Sequence, residues 1–154
     1  MTDLKLESAA GIVDHALAAG REQGFMPLTV AVLDAGGHLV ALKREDGSGI
    51  MRVEIASGKA WGALGMGVAT RHLRDRLADR PAFQAALAAV SGGRFVPVPG
   101  GVLIRDGEDH IIGAVGISGD TSDKDEYCAI RAIEAVGLRP DPTEPAPDWN
   151  QSKL

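Results

Sequence analysis

The sequence predicts an α+β domain built on an antiparallel sheet, and three observations carry that prediction. Strand-like runs at residues 28–34 and 38–44 flank the turn Ala35-Gly36-Gly37, which makes a hairpin. A second pair of runs, 102–105 and 110–117, flanks the turn Asp106-Gly107-Glu108-Asp109. Helical stretches lie outside these pairs rather than between parallel strands, which argues against a doubly wound sheet.

The elements follow in order. Ala9, Ile12, Val13, Ala16 and Leu17 form a helical stripe over 6–23, and Gly24 ends it in a left-handed cap. A second helix over 51–68 carries Ala56, Gly58, Ala60, Gly62, Ala63, Gly65 and Gly67. Interior glycine costs up to about 1 kcal/mol, so this helix must gain close contact with a sheet, a helix or a flat ligand. Thr70 is placed to cap a short helix over 71–77, and Pro81 opens another running to residue 90. Phe95-Val96-Pro97-Val98 reads as a short extended segment, giving the order αββα, short helices, then βββα. The last helix spans 122–136.

The length of 154 residues suits one domain, assigned to residues 1–138. Residues 139–154 form a Pro-rich C-terminal tail that cannot be a regular helix or a central strand. Trp149 within it favours docking on the domain. The net charge of −5 comes without any basic run, so nucleic acid is not an expected partner. The single cysteine, Cys128, rules out an intramolecular disulfide and reads as a small buried hydrophobe. Residues 1–7 lack the apolar stretch of a signal peptide. No run approaches roughly 18 apolar residues, so the expectation is a cytoplasmic protein outside the membrane.

Four places could carry chemistry. Pro99-Gly100-Gly101 precedes a strand, where bare amides could hold an anion, although such a loop also serves as a plain bend. Gly113-Ala-Val-Gly116-Ile-Ser118-Gly119 leads into the last helix, but its spacing is not a dinucleotide fingerprint. Asp120, Asp123, Asp125 and Glu126 crowd that helix start and mostly read as capping. Of the histidines, His38 and His72 are candidate axial haem ligands, with an ordinary surface position as the alternative. Lys59, inside the small-residue helix, is a candidate for facing a pocket, and Arg44, Arg52 and Arg71 offer forked anion recognition.

Together these segments resemble the GlcG/HbpS-like family, described as haem-degrading or haem-binding, which includes the C-terminal domain of PduO-type cobalamin adenosyltransferases. The resemblance covers residues 4–137. It rests on Val30-Ala-Val-Leu-Asp-Ala-Gly-Gly-His-Leu-Val-Ala-Leu42, Arg44 with Asp46-Gly47, and Ile55-Ala-Ser-Gly-Lys-Ala60. It continues in Pro99-Gly-Gly-Val-Leu-Ile104, Ile112-Gly-Ala-Val-Gly-Ile-Ser-Gly119 and Asp125-Glu126. The resemblance implies a profilin-like fold with a five-stranded antiparallel sheet, and a homo-oligomer. Asp120 departs from a glycine often found there, and the Pro-rich tail extends beyond the shared core.

The first functional expectation is a small-molecule binder for haem or a related tetrapyrrole. Its ligand-binding residues would be Arg44, Lys59, Arg71, Pro99, Gly100, Gly101 and Ser118. The alternative is a lyase, isomerase or hydrolase acting on a small carboxylate, with Lys59 or Asp125 moving protons. A third reading is a structural oligomer or regulator that senses a partner.

Overall fold

The computed structural model describes residues 3–154; Met1 and Thr2, where the N-terminal stretch starts, lie outside the described residues. The helices are α1 (Leu6–Gln23), α2 (Arg52–Met66), α3 (Thr70–Leu77), α4 (Pro81–Val90) and α5 (Ser122–Ala135). The strands are β1 (Thr29–Asp34), β2 (Leu39–Arg44), β3 (Gly101–Arg105), β4 (Ile111–Ser118) and β5 (Arg139–Asp141). They form one antiparallel sheet in the order β2-β1-β4-β3-β5. The chain is thus α+β with a five-stranded antiparallel sheet, as the sequence predicts.

Alternation along the central strands assigns the two faces. Val30 and Val32 of β1 and Val115 and Ile117 of β4 pack on Ile12 and Val13 of α1 and Ile130 and Ile133 of α5. On the other face Leu33, Leu103 and Ala114 meet Ala60 and Ala63 of α2, beside the strand glycines Gly101 and Gly116. This face lets α2 come very close. A Cβ at Gly116 would overlap the Ala56 carbonyl, and a Cβ at Gly101 would sit 2.6 Å from Thr70 Cγ2.

Two expectations need correction. Phe95–Val98 is not a strand. It drapes over the outer side of α2, where a Cβ on Gly58 would lie 2.8 Å from Val96 and one on Gly62 3.0 Å from Phe95. Gly58 and Gly62 of α2 therefore serve this segment above, while the sheet beneath meets Ala56, Ala60 and Ala63. The fifth strand comes instead from the proline-rich segment. Pro140 faces Ile104 at the sheet edge, where its missing N–H costs no central ladder bond. Thr70 is also not a cap: its Oγ1 accepts from Gly101 N–H at 2.8 Å and ties α3 to β3.

Candidate functional site

The structure gathers several of the candidate residues into a buried polar knot where α2, β4 and α5 meet. Lys59 Nζ donates to the Ile117 carbonyl at 2.8 Å and to Asp125 Oδ2 at 3.1 Å. Both side chains are 2 % exposed. Asp125 Oδ1 accepts from the Asp120 amide at 3.0 Å. Burial lowers the Lys59 pKa and raises that of Asp125, each opposed by the charge of the other. Ser118, fully buried, accepts from Arg52 Nη1 at 3.0 Å.

The Pro-Gly-Gly loop belongs to this knot. A Cβ at Gly100, where φ is +120°, would lie 2.8 Å from Lys59 Nζ. The glycine there makes room for the lysine of its own chain. None of the cavities described here is lined by Lys59, Asp125, Pro99, Gly100, Gly101 or Ser118.

The other candidates lie apart. Arg44 donates to the Ser48 carbonyl and lines an open cavity of about 540 Å³ with Arg21, Lys43 and Glu45. The neighbouring cations are engaged, Arg21 with Glu45 at 3.0 Å and Lys43 with Asp14 at 2.7 Å. Arg71 faces Glu126 at 3.2 Å and donates to the Glu144 carbonyl of the C-terminal segment. Asp125 and Glu126 are therefore core ion-pair partners rather than caps; Thr121 caps α5 by accepting from the Lys124 amide. His38 has an 82 % exposed side chain that turns toward Asp34, 3.3 Å away. His72 is exposed on α3.

One mostly apolar cavity is marked by no candidate residue in the sequence. It measures about 390 Å³, within the range of small-molecule sites, and lies between the β1–β2 turn, α2 and the 92–94 segment. Leu33, Leu39, Val53 and Trp61 supply apolar surface, Gly37 and Gly58 pack closely on Trp61 and Val96, and Gly92 and Gly93 leave backbone bare. Arg94 stands in its wall. Its guanidinium stacks 4.0 Å from the Trp61 ring centroid, and its Nε donates to the Ser91 carbonyl at 3.0 Å. Among the described residues it forms no ion pair with a carboxylate. The only sequence signal here is the run Ser91-Gly92-Gly93-Arg94 beside a glycine-rich helix, and nothing local in it says that Arg94 meets Trp61.

Comparison with known proteins agrees with the fold. The chain is 33% identical over 114 residues to the corrinoid adenosyltransferase PduO of Salmonella typhimurium, covering 73% of this chain and 33% of that protein. It thus spans about a third of the length of that curated relative. The crystal structure of the PduOC–heme complex superposes with a TM-score of 0.80 at 26% identity, covering 89% of this chain and 97% of that one. The crystal structure of HbpS gives 0.74 at 30% identity, covering 88% of this chain and 91% of that one. A family model described as haem degrading protein HbpS-like matches residues 4–134. The chain belongs to the HbpS-like family.

Proposed function

We propose that this protein binds a planar, carboxylate-bearing small molecule of the tetrapyrrole class in the Trp61 cavity. The observation that carries the reading is Arg94: an arginine without a carboxylate partner among the described residues, held in place by Trp61 and Ser91 at a mostly apolar cavity. A guanidinium so fixed loses little freedom on pairing with a ligand carboxylate. Gly92 and Gly93, where a Cβ would meet nothing within 4 Å, leave that side of the wall open to a flat body. The haem bound by the PduOC relative supports the same class of ligand.

The cavity fits one part of a haem and not another. Its apolar wall and Arg94 suit the macrocycle and its carboxylates. Among the described residues its lining contains no imidazole, thiolate, thioether or phenolate for the iron. Proton transfer by Lys59 and Asp125 on a small carboxylate has less support, because both are buried against each other.

The test is a haemin titration of the Trp149→Phe variant, which leaves Trp61 as the one indole reporter. The expected result is saturable quenching with one haemin per chain. Arg94→Ala is expected to weaken binding about tenfold, the loss of one charge-assisted pair. Absence of both quenching and a Soret shift would remove the reading.

A further inference from the structure

The mismatch between the cavity and haem iron has a consequence for what the cavity recognises. We propose that it binds the macrocycle and its carboxylates without ligating a metal, so that a metal-free dicarboxylic porphyrin is as good a ligand as haemin. This rests on the cavity being the tetrapyrrole site.

The geometry of the side chains that could ligate iron points this way. His38 sits between two cavity residues, Gly37 and Leu39, yet its ring turns to the other side of the hairpin. A Cβ on Gly36 would meet that ring at 2.9 Å, so the imidazole is folded over the turn next to Asp34. Gly37, by contrast, faces Trp61, with its Cβ direction 3.1 Å from the indole Nε1. The β1–β2 turn therefore presents backbone to the Trp61 cavity and imidazole to a separate one lined by Asp3, Leu4 and Ile112. Met66 lines a smaller, separate cavity of about 180 Å³ that shares Trp61. Cys128 is buried in the core between α1, α5 and the sheet.

What remains in the wall is recognition of shape and charge. Apolar contact with Leu33, Leu39 and Val53 does not depend on a metal, and neither does the Arg94 pair. Ser57 and Glu54 add the only oxygen-bearing side chains among the lining residues. Were either to ligate iron, haemin would outbind the free porphyrin.

The experiment compares haemin, protoporphyrin IX and protoporphyrin dimethyl ester by quenching of the Trp149→Phe protein. The two acids are expected to bind with Kd values within about threefold of each other, and the ester about tenfold more weakly. Arg94→Ala should weaken both acids alike and leave the ester unchanged. His38→Ala and His72→Ala should shift neither the haemin Kd nor its Soret maximum. Haemin binding at least about tenfold tighter than protoporphyrin overturns the inference and leaves the tetrapyrrole reading standing. A histidine variant that loses haemin alone does the same. If neither acid binds, both the inference and the reading fall.

Discussion

At the scale of single residues, Glu126 is the most consequential side chain that its local sequence leaves without a role. It stands beside Asp125 in the first turns of α5, where acidic residues read as dipole partners. Instead it is fully buried, facing Arg71. Burial raises its carboxyl to about 7, and nearby Asp123 pushes in the same direction. The charges of Arg71 and Arg74 and the Ala146 backbone oppose the rise without cancelling it. Unfolded, the group returns to an ordinary value near 4.5. Between those two values the folded state holds the proton and the unfolded state does not. Stability therefore falls as pH rises from about 4.5 to about 7, and levels off above. Glu126→Gln keeps the shape and removes the ionisation. Its stability, from urea unfolding at a series of pH values, should fall less across that window. At pH 8 it should exceed the parent by about 1–3 kcal/mol, the lower end reflecting the Arg71 partner it loses. Asp125 has the same sign of shift and stays in both proteins, so the difference between the curves isolates Glu126. Parallel curves would show that Glu126 is already ionised at neutral pH.

At the scale of elements, α2 shows which part of the fold was legible and which was not. Its small residues signal a close approach, because nothing else in a helix offsets that much glycine. The sequence could not say what approaches, since the answer lies in contacts across the chain. Gly116 and Ala56 are 60 positions apart, and Val96 reaches Gly58 across two intervening helices. The same limit hid the cavity, whose walls come from the β1–β2 turn, α2 and the 92–94 segment. It also explains the misplaced strand: Phe95–Val98 has strand composition, but its apolar side chains meet the glycine face of a helix. Close approach of α2 to β4 makes a sharp prediction. Gly116→Ala should destabilise by about 3 kcal/mol or more, since the Cβ meets rigid backbone. Gly67→Ala, at the left-handed end of α2 with open space around it, should cost only about 1 kcal/mol. Equal losses in chemical unfolding would mean that α2 does not lie that near the sheet.

At the scale of the whole molecule, the proline-rich segment closes the structure. β5 pairs along β3, and Arg105 reaches Asp141 at 2.9 Å to hold the new edge. The chain then passes over Arg71 and Glu126 and returns to α5. There Trp149 stacks on Tyr127 with ring centroids 3.9 Å apart and meets Phe25 edge-on at 6.0 Å. The Thr121 and Ser152 hydroxyls share a hydrogen bond of 2.6 Å just beyond it. Docking of the tryptophan was readable from its residue type. Its partners were not, because Phe25 and Tyr127 come from a loop and a helix far apart in the chain. Two aromatic contacts of this kind contribute about 2 kcal/mol together. For a chain of this length Trp149→Ala should therefore lower Tm by about 4–8 °C, measured by calorimetry. Trp149→Phe keeps a ring against Tyr127 and should lose less than half of that. The strap and the Trp61 cavity lie against different elements, so the alanine variant should still bind haemin with the parent affinity. A truncated indole that left Tm unchanged would mean that the segment rests on the domain without stabilising it. A parallel loss of haemin binding would mean that the two ends of the molecule are coupled through the sheet.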